Sequence, residues 1–232
     1  MADSIYDAHR DRYAEELDRA VHFSGKGQDF FTRRKAEELL ALVERHVGPP
    51  SAAEAVDVGC GIGLTDSFLA GRLASLTGVD VSPGVLERAA ERNPAVRYEL
   101  YDGERLPFAD GSFDVAFTVC VVQVLPPEKQ QGFVCELRRV VREGGLVVAF
   151  EHNPFNPLTR LAVRRFTLGH DAHMLSARRL AALFRGAGLA VVERAHILLV
   201  PAEGRAARAV ERRLARLPLG AQYVLAGRPH GT

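Results

Sequence analysis

Hydrophobic positions along the chain follow two alternating periods between about residue 51 and Glu151. Short apolar runs of the kind that form buried strands alternate with stretches whose apolar residues recur at helical spacing. The predicted strands cover 54–59, 76–81, 96–100, 114–119 and 145–151, and the predicted helices cover 64–72, 83–92 and 127–141. Repeated strand–helix units predict a parallel sheet with helices on both faces, an α/β doubly wound fold.

The pattern changes on both sides of this region. Helical spacing over 3–21 and 28–46 precedes it, and two Asn-Pro steps in "HNPFNPLTR" interrupt the rhythm after it. Further helices are predicted over 158–166, 176–187 and 205–216, and further strands over 189–200 and 221–228. The last two strands are expected to form an antiparallel pair.

We therefore expect a single domain with four parts. These are an N-terminal helical lid (1–50), a core (51–151), a substrate-side insertion (152–188) and a C-terminal strand–helix–strand unit (189–232).

Composition restricts the classes of function. The 232 residues are 47% hydrophobic, enough for one full core, and the net charge of +1 provides no general attraction for nucleic acid. The charged N-terminus lacks the apolar core of a signal peptide, and no apolar run reaches the ~20 residues that span a bilayer. The three cysteines form no CxxC pair. These features predict a cytoplasmic protein with neither a disulfide framework nor a metal site.

The stretch "AVDVGCGIGLTDSFLA" carries the first chemical signal. Asp57 is followed by Gly59, Gly61 and Gly63, which lets the backbone pass close to a ligand without Cβ interference. A dinucleotide fingerprint would place its third glycine at Leu64, so that match fails. A helix starting near Leu64 would direct its N-terminal amides at a carboxylate or phosphate.

Carboxylates at the next two strand ends extend this site. Asp80 ends the second strand, where a carboxylate can accept hydrogen bonds from both hydroxyls of a ribose. Asp102 follows the third strand, next to Gly103, where it could accept a hydrogen bond from an adenine amino group. In open α/β sheets, the crevice at such strand ends is where ligands bind.

Five stretches between about residues 54 and 190 now carry a specific resemblance. They are "VDVGCGIG", "LTGVDVSPGVLERA", "LPFADGSFDVAFTV", "ELRRVVREGGLVVAFE" and "GAGL". In this order the chain resembles a class I S-adenosylmethionine-dependent methyltransferase of the small-molecule group that includes the ubiquinone/menaquinone C-methyltransferases. The resemblance implies a seven-stranded Rossmann-like sheet ordered 3-2-1-4-5-7-6 with strand 7 antiparallel. It also implies S-adenosylmethionine as cofactor and S-adenosylhomocysteine as product.

The resemblance further implies roles for individual residues. Asp57, Gly59 and Gly61 would lie against the methionine part, and Asp80, with Val81 beside it, would hold the ribose. Asp102, Gly103 and Glu104 would border the adenine, and the backbone of Cys120 would contact the methionine end. Family members often carry a Leu-x-His element after the fourth strand, whereas this chain has "CVVQVLPP", with Gln123 and no histidine.

A general base would assist methyl transfer to a hydroxyl or an enolisable carbon. His152, directly after the fifth predicted strand, is the best placed histidine, although a loop-capping role fits it equally. His170 and His173 flank Asp171 in the insertion. These residues could act as a base with its orienting carboxylate, bind a metal, or form only a polar loop. His22 could reach the site from the N-terminal lid.

The predicted function is methyl transfer to an oxygen or carbon of a small metabolite, such as a natural product, sugar or quinone. The expected partner is that small molecule alone, with no nucleic acid and no membrane span, in a monomer or homodimer. The Arg-rich, Lys-poor composition suggests the coding bias of a GC-rich genome, and a bacterial source and secondary metabolism are the expected setting. Two alternatives remain: a cofactor-binding fold that acts as a cyclase or partner module, and a nicotinamide-dependent oxidoreductase. Leu64 counts against the second.

Overall fold

The computed structural model describes residues 26–165, 173–199, 213–215 and 217–230, and these form one seven-stranded sheet with surrounding helices. The strands are β1 (Glu54–Val58), β2 (Ser75–Asp80), β3 (Arg97–Leu100), β4 (Phe113–Val119), β5 (Val141–His152), β6 (Leu189–Ile197) and β7 (Gln222–Pro229). The helices are α1 (Gln28–His46), α2 (Asp66–Leu69), α3 (Pro83–Arg92), α4 (Pro127–Val140), α5 (Pro157–Arg165) and α6 (Ala177–Gly186). None of the helices described here is long and apolar enough to cross a membrane.

The strand order is β3-β2-β1-β4-β5-β7-β6, which confirms the predicted topology. β1 pairs in parallel with both β2 and β4, and β4 pairs in parallel with β5. β7 lies antiparallel between β5 and β6. The switch of direction at β7 agrees with the antiparallel closing pair expected from the sequence.

Alternating side chains of the strands build one core on each face of the sheet. Val56 and Val147 face α4 and α6, whose Leu137 and Phe184 are fully buried. Their neighbours along the same strands, such as Val148, face α1 instead. The period of two in the strands therefore places helices on both faces, as the doubly wound prediction required.

α1 is a layer of this core and is not confined to the surface. Leu42 and Val43 are fully buried against the sheet. At its C-terminal end, Arg45 and His46 both pair with Glu193 of β6 at 2.9 Å. These contacts fix the helix across the sheet, and the lid assigned to residues 1–50 stays a prediction because residues 1–25 lie outside the described residues.

The prediction of a helix over 64–72 is wrong in its length. α2 is a single turn, and Gly71 follows it in the left-handed region at φ +74°. Asp66 is fully buried at its start, where the hydroxyl of Tyr98 donates to Oδ2 at 2.9 Å. A single turn offers no extended helix N-terminus, so the physical reason for expecting an anion at Leu64 is lost, and binding there stays a prediction.

Two other predicted helices cannot be assessed. The helix over 3–21 and most of the helix over 205–216 lie outside the described residues.

Gly78 in β2 provides a test of this packing. A Cβ built there would lie 2.5 Å from Cε1 of Tyr98, whereas a Cβ on Gly132 of α4 meets no described atom within 4 Å. We expect Gly78→Ala to lower the free energy of unfolding by about 1–3 kcal/mol through overpacking. Gly132→Ala, the matched control, should raise it by about 0.5–1 kcal/mol through helix propensity. Chemical denaturation measures both, and equal effects would contradict the packing described here.

Candidate cofactor and active site

The carboxyl ends of four parallel strands meet at one edge of the sheet. Asp57 near the end of β1 pairs with Gly78 of β2 and with Phe117 of β4, and Val119 of β4 pairs with Phe150 of β5. Asp80, Cys120 and His152 follow at or just beyond the ends of these strands. The sheet thereby brings together Gly61 and Asp80, which are 19 positions apart, and Cys120 and His152, which are 32 positions apart.

The three glycines after β1 all adopt positive φ, but for different physical reasons. A Cβ on Gly59 would lie 2.5 Å from Cγ2 of Val121, and a Cβ on Gly63 would lie 2.5 Å from the side-chain nitrogen, Nδ2, of Asn93. A Cβ on Gly61 meets no described atom within 4 Å. Gly59 and Gly63 are thus required by protein packing, and Gly61 is the position where a ligand can approach the bare backbone.

Asp80 holds this glycine loop against the end of β2. Its Oδ2 accepts the backbone N–H of Gly61 at 3.0 Å, and its Oδ1 accepts that of Ser82 at 3.1 Å. Ser82 in turn caps α3, as its Oγ accepts the N–H of Val85 at 3.4 Å. The predicted ribose residue therefore also links the glycine loop to the start of α3.

The segment after β3 provides the predicted adenine border. Asp102 is exposed and accepts the N–H groups of Glu104 and Arg105 at 2.8 Å, and these hydrogen bonds lower the pKa of its carboxyl. A Cβ on Gly103 would lie 3.2 Å from Cγ1 of Val81, whose side chain is 43% exposed. Between Asp80 and Asp102 there is thus an apolar surface suited to a flat base.

Arg139 of α4 anchors the rest of that segment. Its guanidinium donates to the carbonyl oxygens of Phe108 at 2.7 Å and Leu106 at 3.0 Å, and it pairs with Asp110 at 2.9 Å. The loop that carries Asp102 is thereby tied to the core.

A buried polar network supports the glycine loop from below. Asp57 and Asp66 are buried together, and burial, followed by the neighbouring Asp66 carboxylate, raises the pKa of Asp57 well above its usual range. Tyr98 donates to Asp66, and the Asn93 amide donates to Tyr98 and to the carbonyl of Gly63, each at 2.9 Å. The Asp57–Asp66 pair therefore holds a proton more tightly than two exposed carboxyl groups would. The sequence did not indicate Asp66, Asn93 or Tyr98, because each lies in an ordinary helical or strand pattern.

His152 is the last residue of β5 and lies in a cluster of neutral groups. Its Nδ1 is 2.7 Å from the amide nitrogen of Gln123, and its Nε2 is 3.9 Å from the sulfur of Cys120. Burial, then the charge of Lys35, lowers the pKa of His152 to about 4. Burial raises the pKa of the Cys120 thiol to about 12. The imidazole is therefore unprotonated, and the thiol is un-ionised, at neutral pH.

Glu151 and the backbone of Cys120 shape the same corner. Cys120 has φ +60°, and its backbone N–H donates to the carbonyl oxygen of Phe150 at 2.7 Å. Of its two backbone polar groups, the carbonyl oxygen is therefore the one left for a ligand. Oε1 of the fully buried Glu151 accepts the N–H of Val122 at 2.9 Å, and burial raises the pKa of Glu151 to about 8.

Lys35 of α1 reaches the same edge and was not predicted. Its side chain is only 6% exposed, and burial lowers its pKa. Cys120 and Asp57 are the groups that its charge acts on most strongly. In the sequence it stands in "TRRKAEE", which reads as a solvated helix face.

Of the other histidines proposed from the sequence for the site, His173 alone lies within the described residues. His173 donates its backbone N–H to the carbonyl of Gln123 at 2.7 Å, but its side chain is exposed. His170, Asp171 and His22 lie outside the described residues. Catalytic roles for His170 and His173 stay predictions.

The first Asn-Pro step, at Asn153, connects the segment after β5 to the segment before β7. Asn153 is buried, and its amide donates to the carbonyls of Pro218 at 2.9 Å and Gly220 at 2.8 Å. This side chain therefore fixes the segment after β5 to the approach of β7.

Comparisons with known proteins identify the type of domain. A family model described as a methyltransferase domain matches residues 56–149. A demethylmenaquinone methyltransferase of Tropheryma whipplei is 34% identical over 144 residues, 60% of this chain and 56% of that protein. A 2-methyl-6-phytyl-1,4-hydroquinone methyltransferase of Synechocystis is 36% identical over 108 residues, 45% of this chain and 33% of that protein. The chain thus spans between a third and just over half of these relatives.

Solved structures agree at the level of the fold. A S-adenosylmethionine-dependent methyltransferase of Thermotoga maritima, a possible histamine N-methyltransferase, superposes with a TM-score of 0.69 at 20% identity. The match covers 97% of this chain and 98% of that one.

Residues 56–149 match the methyltransferase domain model, and the chain has the fold of the S-adenosylmethionine-dependent methyltransferase of Thermotoga maritima. The cofactor of this class is S-adenosylmethionine, and the residues at the sheet edge fit it. Gly61 leaves room over the backbone, Val81 offers an apolar surface, and Asp80 and Asp102 offer carboxylates.

Replacing Asp80 tests the assignment of the ribose site. We expect Asp80→Ala to weaken binding of S-adenosylhomocysteine at least about tenfold, because charged hydrogen bonds worth ~1.5–3 kcal/mol are lost. Calorimetry measures the affinity. Glu91→Ala, which removes an exposed carboxylate at the end of α3, is the matched control and should leave it unchanged. Unchanged affinity in folded Asp80→Ala would refute the ribose role.

Proposed function

We propose that this protein transfers a methyl group from S-adenosylmethionine to an oxygen or carbon of a small, quinol-like metabolite. The relatives named as menaquinone-type and hydroquinone methyltransferases support this class of acceptor. The observation that carries the proposal is the position of His152, a neutral imidazole anchored by Gln123. It stands beside Cys120, whose neighbour Val121 packs directly on Gly59 of the glycine loop.

The cofactor supplies a methyl group already activated on a sulfonium. The protein then needs to hold the adenosyl part, exclude water and orient the acceptor. We assign ribose binding to Asp80, the adenine border to Val81, Asp102, Gly103 and Glu104, and the methionine end to Asp57, Gly59, Gly61 and the carbonyl of Cys120.

His152 is assigned to the acceptor. The side-chain oxygen of Gln123 has no described partner, and with the amide turned so that this oxygen accepts Nδ1–H, the lone pair of the neutral imidazole lies on Nε2. Nε2 can then accept the hydrogen bond of an acceptor hydroxyl and draw its proton away as the oxygen or the ring carbon attacks. Because the Cys120 thiol stays protonated, it does not compete as a nucleophile.

We further infer a bacterial, cytoplasmic enzyme of secondary metabolism, acting as a monomer or homodimer. The Arg-rich composition and the absence of a membrane-spanning helix among the described residues support the setting.

A tritium-transfer assay tests the function. The protein is incubated with methyl-labelled S-adenosylmethionine and a panel of hydroquinones, and labelled product is expected. Retained binding of S-adenosylhomocysteine with no labelled product from the panel or from cell extract would favour a fold that no longer transfers methyl groups.

Substitution of His152 tests its role within that reaction. We expect His152→Gln to lower kcat about 100-fold, because the proton acceptor is lost, with affinity for S-adenosylhomocysteine within about twofold. The wild-type rate should not fall between about pH 8 and pH 6, because a base acts above its pKa and that of His152 is about 4. His46→Gln, at the distant Glu193 pair, is the matched control. An unchanged kcat in His152→Gln would overturn the assignment.

A further inference from the structure

Lys35 is a buried basic residue of α1, and burial lowers the pKa of its amine. Its side chain is 6% exposed, on a helix that packs across the sheet. Within the part of the chain that the structure describes, its ammonium forms no hydrogen bond or ion pair. Burying a charge in this way is unfavourable unless an opposite charge accompanies it.

The described acidic groups around Lys35 act on it without forming an ion pair with it. Its ammonium acts on Cys120 and on Asp57, and it lowers the pKa of His152. Asp57 and Asp66 are buried together, with the pKa of Asp57 raised well above its usual range and that of Asp66 raised to about 6, and burial keeps the Cys120 thiol un-ionised. Glu151, which faces the same cluster, has a pKa of about 8. At neutral pH the negative charge that remains nearby is that of the Asp57–Asp66 pair, which forms no ion pair with Lys35.

The location of this charge indicates its use. Cys120 and Asp57 border the predicted methionine end of the cofactor site, and His152 borders the acceptor side. A bound cofactor brings a sulfonium, a second positive charge, to this region. In a site with low dielectric constant, two cations without an anion would repel each other strongly.

We propose that Lys35 is an anion-binding residue of this site, which contacts an acidic oxygen of a bound small molecule. The proposal rests on the proposed function and deepens it. Two molecules can bring such an oxygen: the cofactor, through its methionine carboxylate, or the acceptor, through a carboxylate or phenolate.

The experiment separates these sources with ligands of known charge. Calorimetry measures binding of S-adenosylhomocysteine and of 5′-methylthioadenosine, which lacks the amino-acid part, to the wild type and to Lys35→Met. Benzoate and uncharged benzamide are then titrated into the wild-type and variant complexes with S-adenosylhomocysteine. Arg33→Met, which removes an exposed positive charge from the same helix, is the matched control.

Either of two results supports the proposal. If Lys35→Met binds S-adenosylhomocysteine at least about tenfold more weakly but 5′-methylthioadenosine equally well, Lys35 contacts the methionine carboxylate. If both adenosyl compounds bind as before while benzoate binding, and not benzamide binding, depends on Lys35, the acceptor supplies the oxygen. In both cases the ligand-free variant should melt at a higher temperature than the wild type, because a buried amine without a direct partner is replaced by an apolar side chain.

Other results overturn the proposal. Equal weakening of both adenosyl compounds would show that Lys35 only maintains the shape of the site. Unchanged adenosyl binding together with no Lys35-dependent benzoate binding would also exclude an anion site. These are binding measurements, so the proposal can fail while methyl transfer is present. Conversely, the absence of labelled product would defeat the proposed function and leave the binding result intact.

Discussion

The hydrogen bonds that hold the glycine loop against the end of β2 are the constraint on which the rest of the site depends. The backbone N–H groups of Gly59 and Cys60 both reach the carbonyl of Val79, at 2.8 and 3.1 Å, and the N–H of Gly61 reaches the Asp80 carboxylate. The end of β2 therefore sets the path of the chain after β1. Since only left-handed backbone completes that path, glycine is required, and Gly61 is left open to a ligand.

The electrostatics of the edge follow from burial. Desolvation raises the pKa values of the acidic groups of Asp57, Cys120 and Glu151. Asp80 and Asp102 are less buried, and backbone N–H groups bind their carboxylates. Carboxylates bound by backbone N–H groups thus lie where the adenosyl part would bind, and ionisation is disfavoured at the methyl-transfer end, where Lys35 is buried.

Much of this could be predicted from the sequence, because it depends on local patterns. The alternation of strands and helices predicted the doubly wound parallel sheet, the family resemblance supplied its strand order, and Ser82-Pro83 marked the start of α3 correctly. Asp57, Asp80 and Asp102 were found because carboxyl ends of parallel strands share one edge.

The remainder depends on contacts between distant segments. The single turn of α2 was missed because the burial of Asp66 depends on Tyr98, 32 residues away. The roles of Gly59 and Gly63 depend on Val121 and Asn93. Lys35 was overlooked because its inward direction is set by how α1 crosses the sheet, which no local pattern records.

The most direct measurement of the central claim is a crystal structure of the protein with S-adenosylhomocysteine. The account predicts the ribose hydroxyls at hydrogen-bonding distance from the Asp80 carboxylate and the thioether over Gly61, on the side toward His152. Electron density for the compound at another surface, or the chain's own atoms filling the space over Gly61, would contradict it.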